Sequence, residues 1–265
     1  MLRFNKTSFS IALLTLSSAS YAEIGVSIAS GLKTVNVEEI SVYGKRLNQE
    51  TGNLPYLSLG FDFPFESGFT VFTKHDIAAG DLNYDGQLQN GNPYQTYTET
   101  RLWQNSLGLT SPPIFHLING KQHLVGLFSI HNWDRNILGS QQVNSLHEQY
   151  DWKSLGLGFK HVNDNETLKL GATFQKNFDG HMSINIPNVA TGNLNLPQGD
   201  GLIVTAEYQL MKLEKTMLNI GLNYSYQQTN RSETGNLYNL EKLVGTATMP
   251  KHSLQQTTLY LMLSF

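Results

Sequence analysis

The chain has 265 residues, with 18 Lys and Arg against 21 Asp and Glu, a formal net charge of −3, 15% charged residues and no Cys. This length suits one large or two small domains, and the missing Cys excludes disulfides, a thiolate nucleophile and Cys-ligated zinc. No basic excess is present to neutralise phosphates, so nucleic-acid binding is not expected. The charged fraction is well below the ~25% usual for soluble domains, although the mean hydropathy is negative at −0.28.

The first 22 residues have the order of a secretory signal peptide. Residues 1–6 carry Arg3 and Lys6, residues 9–16 form a short apolar core, and Ser20 and Ala22 are small residues where a signal peptidase reads. We therefore expect residues 1–22 to be removed and residues 23–265 to form one domain. No later stretch approaches the ~18 apolar residues of a spanning helix, which leaves a periplasmic protein, a secreted protein or an outer-membrane barrel.

Apolar and polar residues alternate along the rest of the chain with a period of two. The last stretch places Leu259, Leu261 and Leu263 on one face and ends at Phe265. The opposite faces hold mainly Gly, Ser, Thr, Asn and Gln, whereas the outer face of a soluble sandwich is rich in Lys and Glu. This composition favours membrane-spanning strands with an apolar face toward lipid and a polar face toward a barrel interior.

A final alternating strand that ends in Phe265 resembles the C-terminal assembly signal of bacterial outer-membrane β-barrels. The resemblance implies an all-β, antiparallel, up-and-down transmembrane barrel located in the outer membrane. It also implies contact with outer-membrane lipid and lipopolysaccharide, and recognition of the C-terminal strand by the barrel-assembly machinery.

Ten strands are predicted, joined alternately by short turns and by long polar segments. The predicted strands are residues 24–33, 55–65, 69–78, 98–110, 122–133, 148–162, 168–178, 201–213, 217–228 and 252–265. The predicted long extracellular loops are residues 79–97, 134–147, 179–200 and 229–251. An even strand number places both termini in the periplasm. Twelve strands is the alternative count, because residues 111–122 contain an Asn119-Gly120 turn signal and residues 32–54 are either a loop or a tall continuation of the first two strands.

Five charged residues fall on the predicted inner face of the barrel. These residues are Asp62, Lys74, Lys160, Lys169 and Glu207. A ten-strand barrel is only slightly wider than the eight-strand barrels whose interior is just filled by side chains. The two interpretations are a paired interior network and a charged constriction that selects small solutes.

Asp81, Asn83 and Asp85, followed by Gly86, have the spacing with which a calcium-binding loop begins. Asn92 stands where such a loop has a bidentate Glu, so the set lacks one charge and two oxygens. The alternatives are a weak calcium site and an ordinary turn in a polar loop. No other cofactor is predicted.

Asp179-Gly180-His181 lies at the predicted extracellular end of strand seven and resembles the His-Asp half of the omptin active site. Omptins are ten-strand surface proteases that use two further acidic residues on the opposite wall to activate water, and Asp81 and Asp85 are candidates for that role. The alternative is an ordinary turn, because the chain shares no other motif with omptins.

Residues 37–46, Val-Glu-Glu-Ile-Ser-Val-Tyr-Gly-Lys-Arg, are similar to the TonB box of outer-membrane receptors, which binds as an added edge strand. The alternative is an amphipathic strand extension, since the remaining chain is too short for a plug and a 22-strand barrel.

Three functions follow from these patterns. The first is a non-enzymatic surface protein whose long loops bind an extracellular ligand or partner. The second is a narrow, porin-like channel for small polar or anionic solutes. The third is an omptin-like hydrolase that uses Asp179 and His181. Loops rich in Asn, Gln, Tyr and Gly suit sugars, lipopolysaccharide or host proteins, and equally suit solvated mobile segments.

Overall fold

The computed structural model describes residues 23–88, 91–117 and 119–265, and the predicted signal peptide lies outside these ranges. Every regular element in them is a β-strand. The strands are β1 (Gly25–Ile40), β2 (Arg46–Pro64), β3 (Thr70–Gln87), β4 (Pro93–Thr110), β5 (Phe115–His116), β6 (Gly120–Ile137), β7 (Leu146–Asn163), β8 (Leu168–Ile186), β9 (Ala190–Leu196), β10 (Gly199–Leu213), β11 (Thr216–Thr229), β12 (Gly235–Asn239), β13 (Lys242–Ala247) and β14 (Lys251–Ser264). Over the same ranges, no helix has the length and apolar character needed to cross a membrane.

Ten of these strands form a closed antiparallel barrel, as predicted. The ring runs β1, β2, β3, β4, β6, β7, β8, β10, β11, β14, and β14 pairs again with β1 over 14 residue pairs. The twelve-strand alternative is wrong. The turn signal at Asn119, which has a φ of 54°, closes only the two-residue strand β5 onto β6 at the edge of the barrel.

The barrel strands are longer than predicted at one end of the barrel. β3 continues to Gln87 and β4 begins at Pro93, so most of the predicted loop 79–97 is strand. Residues 32–54 are the tall continuation of β1 and β2, with residues 41–45 as the turn. The segment similar to a TonB box lies in this hairpin, where β1 pairs with β14 on one side and β2 on the other. It therefore offers no free edge.

The part of the barrel next to the short turns has an apolar outer surface, and we call it the membrane half. Leu57, Leu59 and Phe61 point outward from β2, while Ser58 and Gly60 point inward and are buried. On β7 the exposed outer residues are Leu155, Leu157 and Phe159. From Leu57 to Phe65 the outward side chains cover ~26 Å of strand, which at a tilt of ~40° corresponds to an apolar band ~20 Å tall, close to the ~25 Å of outer-membrane barrels.

Beyond this band the polarity of the two faces is reversed, and we call this part the outer half. On β1, Val35 and Val37 are buried inside the barrel, whereas Thr34 and Glu38 face outward. Other fully buried side chains of this core include Leu54, Leu82, Trp133, Tyr150 and Leu254. The outer half therefore has an apolar core and a polar exterior, as a water-soluble protein does.

A small sheet extends the wall of the outer half. β8 continues past the barrel and turns at Asn188, which has a φ of 62°, into β9. β12 pairs with β9 at Leu237–Gly192 and Tyr238–Thr191, and β13 pairs with β12. The upper part of β8 with β9, β12 and β13 is named the polar sheet. Met182, Ile184 and Leu194 on its inner face pack into the core of the outer half.

Candidate functional site

A single buried arginine connects opposite walls of the barrel in the outer half. The side chain of Arg135 on β6 is 1% exposed. Its Nη1 donates to Glu39 Oε1 on β1 at 3.0 Å and to Glu148 Oε2 on β7 at 2.6 Å, and its Nη2 donates to Glu50 Oε1 on β2. Because β1 and β7 are five strands apart in the ten-strand ring, these contacts cross the lumen.

Aromatic and amide groups complete this Arg135 network. Tyr150 OH lies 3.0 Å from Arg135 Nη1 and donates to Glu148 Oε2 at 3.0 Å. The guanidinium lies 5.0 Å from the ring centroid of Trp133, which stacks on Tyr150 at 4.9 Å. Asn48 donates to Glu39 Oε2 at 2.7 Å. Together with the surrounding buried Val, Leu and Tyr side chains, these groups form the core of the outer half.

The network contains three carboxyl groups and one guanidinium. Burial raises the pKa of Glu148 to about 7, although Arg135 opposes the shift, and burial likewise raises the pKa of Glu50. Burial alone would lower the pKa of Arg135, but the neighbouring carboxylates outweigh it and hold that pKa well above its usual value. These residues lie beyond the apolar band. Three buried carboxyl groups that face one guanidinium favour the protonated form of one of them, because three negative charges against one positive charge are unfavourable.

In the membrane half the predicted lumen charges form two groups. Lys74 Nζ lies 3.2 Å from Asp76 Oδ2, and Asp76 accepts a hydrogen bond from Tyr56 OH at 2.7 Å. Nearer the short turns, Asp62 interacts electrostatically with Lys160, Lys169 and Glu207. This second group has two positive and two negative members, and Glu207 also accepts from Tyr260 OH at 2.8 Å.

Asp81, Asn83 and Asp85 lie on β3 with their side chains exposed on the outer face of the barrel. The calcium prediction assumed a loop whose alternate side chains converge, and that assumption is wrong because an extended strand spaces them ~7 Å apart. Asp85 instead pairs with Arg46 at 3.1 Å. Within the described ranges, no three His, Asp or Glu side chains are grouped as a metal site would require. Calcium binding itself stays a prediction.

Asp179 and His181 are also exposed on the outer face. Asp179 forms a short contact with Lys153, whose hydrogen bond and charge lower the pKa of that carboxyl, and His181 lies 3.1 Å from Asn195 Oδ1. β3 and β8 are four strands apart in the ring, and both sets of side chains point away from the lumen. The structure therefore does not bring Asp179 and His181 together with Asp81 and Asp85.

On β8, β9 and β12 the outer face of the polar sheet carries a group of uncharged polar side chains. In adjacent strands, Ser183 is paired with Asn193 and Asn185 with Thr191. Tyr238 is paired with Thr191, and Asn236 donates to Tyr238 OH at 3.2 Å. These residues line an open groove of about 590 Å³. We refer to this surface as the amide face.

Sequence reasoning missed the Arg135 network because it assigned residues 134–147 to a loop and left residues 32–54 undecided. A signal was present. Apolar residues on the same strand are three positions apart at Leu32 and Val35 and at Ile130 and Trp133. An odd spacing moves the apolar set to the other face of a strand, which marks the boundary between the two halves.

No protein-family model matches the chain, and no curated protein matches it. Among solved structures, the chain is similar to the outer membrane protease OmpT from Escherichia coli, with a TM-score of 0.60, 11% identity, and coverage of 94% of this chain and 99% of that chain. The translocator domain of the autotransporter NalP from Neisseria meningitidis gives a TM-score of 0.44 at 8% identity, covering 93% of this chain and 90% of that one. At these identities the first likeness shows the outer-membrane barrel fold, and the second adds no argument.

Proposed function

We propose that this protein is a plugged barrel of the bacterial outer membrane that acts, without catalysis, through the part of its strands that stands outside the membrane. The observation that supports it is the Arg135 network. Charged and apolar side chains from β1, β2, β6 and β7 meet at the centre of the outer half, where a channel would need a continuous column of water.

The orientation follows from the difference between the two ends. The short turns, such as residues 66–68 and 164–166, lie next to the apolar band, and the start of β1 lies at the same end, where Val26 pairs with Phe265. Short turns face the periplasm and long connections face outward in bacterial barrels. The termini are then periplasmic, lipid and lipopolysaccharide surround the apolar band, and the assembly machinery reads β14 and Phe265.

The channel alternative depends on the charged group around Lys160 and Lys169. In a plugged barrel this group opens toward the periplasm only, and its balanced charges stabilise the interior instead of selecting ions.

Single-channel conductance in a planar bilayer tests the proposal. The refolded protein, whose insertion is verified by proteolytic protection of the membrane half, should give no discrete steps between pH 5 and 8. As a positive control, a porin of similar size in the same bilayer should conduct. Discrete steps from the wild-type protein would overturn the plugged barrel and direct attention to Lys160 and Lys169.

A further inference from the structure

The amide face is an unusual surface for the exterior of an outer-membrane barrel. The residues that line its groove include Ser183, Asn185, Thr191, Asn193 and Tyr238. Within this described lining there is no Asp, Glu, Lys or Arg, and its imidazole, His147, lies 2.7 Å from Asp134 Oδ1. A groove whose own lining has no Asp, Glu, Lys or Arg suits a neutral ligand, because a charged ligand would lose its hydration without gaining a counter-charge from the lining.

The side chains of this face are also available. Asn185 and Asn193 are exposed, and among the described residues no hydrogen bond engages either side chain. A primary amide offers two donors and an acceptor, which allows it to bind two neighbouring hydroxyl groups of a sugar ring. Tyr238, 42% exposed, adds an aromatic surface with a polar tip. Amides in a regular array next to an aromatic ring match a chain of repeating polyhydroxylated units.

The position of the amide face indicates the source of such a ligand. Since the polar sheet continues the barrel wall, its outer face is directed sideways, along the membrane, and not toward the medium. Asn185 lies 11 residues beyond Phe174, the last exposed apolar residue of β8. At ~3.3 Å per residue and a tilt of ~40°, this places the groove on the order of 25 Å above the apolar band. That height is above lipid phosphates and within the sugar layer of the outer leaflet.

We propose that the amide face binds the neutral part of the oligosaccharide of lipopolysaccharide in the same membrane. The inference depends on the proposed function for the orientation of the barrel. It goes beyond that function by assigning the ligand class and the residues that bind it. Asn185 and Asn193 donate to and accept from sugar hydroxyls, Ser183 and Thr191 add hydroxyl contacts, and the Tyr238 ring packs against a sugar face. Lateral binding of this kind would fix the protein within the sugar layer.

The test uses the full-length mature protein refolded in detergent and titrated calorimetrically with water-soluble oligosaccharide. The oligosaccharide is released by mild acid from the lipopolysaccharide of the bacterium that encodes the chain. We expect saturable binding that weakens about ten-fold in the double variant Asn185→Ala/Asn193→Ala, as the loss of two hydrogen bonds implies. The matched control is Asn144→Ala, an exposed amide in the loop before β7, which should bind as wild type does.

Several results would overturn the inference. These are equal affinity of the double variant and wild type, binding of lipid A in place of the oligosaccharide, binding of dextran with the same affinity, or no heat of binding at all. Folding is followed separately by the heat-dependent shift in gel mobility, which both variants should retain because the substituted side chains are exposed. A correctly inserted protein that gives no conductance steps and binds no oligosaccharide would refute this inference. The same result would still support the plugged barrel.

Discussion

The two halves of the barrel use the same strands with opposite polarity. In the membrane half, Leu155 and Leu157 of β7 are 61% and 68% exposed on the outside, and Ser154 is fully buried inside. Farther along the same strand, Tyr150 is buried inside and Gln149 is exposed outside. A strand alternates in both environments, and the surrounding solvent decides which face holds the apolar residues.

The interiors of the halves differ in how they treat charge. In the membrane half, Lys74 and the buried Lys33 both interact with Asp76, and the group around Lys160 has two positive and two negative members. The outer half concentrates three carboxyl groups on Arg135 within an apolar core. Removing one partner of a buried ion pair is costly because the other charge stays uncompensated. We therefore expect the stability of the outer half to depend on its buried charges more strongly than the stability of the membrane half does, although the outer half is surrounded by water.

Replacing the central arginine should give the largest effect. Arg135→Ala leaves three buried carboxyl groups without a cation, and we expect a loss of about 3–5 kcal/mol in the free energy of unfolding. Urea unfolding of the protein in lipid vesicles measures it. Arg46→Ala, which removes the exposed pair with Asp85, should cost at most ~1 kcal/mol. Similar losses in the two variants would mean that the Arg135 network contributes no more to stability than an exposed ion pair does.

Arginine substitutions on the outer face should locate the boundary between the halves. Leu157→Arg introduces a charge into the lipid-facing band and should destabilise the folded state by about 2–4 kcal/mol. Gln149→Arg, eight residues away on the same strand and face, should change stability by less than ~0.5 kcal/mol because the site is in water. The same vesicle unfolding assay applies. A large loss of stability in Gln149→Arg would show that the apolar band extends farther along β7 than the structure indicates.

The proton held by the Arg135 network should give a smaller, pH-dependent effect. The folded pKa of Glu148, about 7, is above its ordinary value of 4.5, so protonation favours the folded state. This contribution is complete below pH ~4.5 and lost as the pH rises through ~7, on the order of 1–3 kcal/mol. Glu148→Gln, which is neutral at every pH, should remove it.

His252 changes the pH dependence of stability in the opposite direction. Burial lowers the pKa of His252 to about 4, so its contribution to the unfolding free energy rises with pH in part of this window. The quantity to measure is therefore the difference in unfolding free energy between wild type and Glu148→Gln from pH 4.5 to 8, in which the His252 contribution cancels. Wild type should lose stability relative to the variant as the pH rises. If the difference in unfolding free energy between wild type and Glu148→Gln does not change with pH, the pKa of Glu148 is not raised in the folded state.

The membrane half could be predicted from the sequence because its alternation is unbroken and its turns are short. The predicted strand 168–178 lies entirely within β8, and 217–228 lies within β11. The outer half was assigned to loops because its outward residues, such as Asp81 and Asn83, are polar and resemble loop composition. Composition in a strand reflects the solvent that each face meets, so polar outward residues indicate water and not irregular structure.

The candidate sites likewise could not be predicted from local sequence patterns. Asp81, Asp85, Asp179 and His181 were selected for local spacing, but spacing does not state which side of a barrel wall a residue occupies in relation to a distant strand. Arg135, Glu39, Glu50 and Glu148 come from four strands, and no local motif joins them.

Period-two alternation and the alternation of short and long connections predicted a membrane barrel of about ten strands, with twelve as the alternative, because each strand must place one face in lipid and one in the interior. Only the tertiary structure showed that the strands continue beyond the apolar band with inverted polarity, that Arg135 contacts carboxyl groups on opposite walls of the barrel, and that amides from β8, β9 and β12 form one surface. These features depend on registers between strands far apart in sequence, which are set by closure of the whole barrel and not by any strand alone.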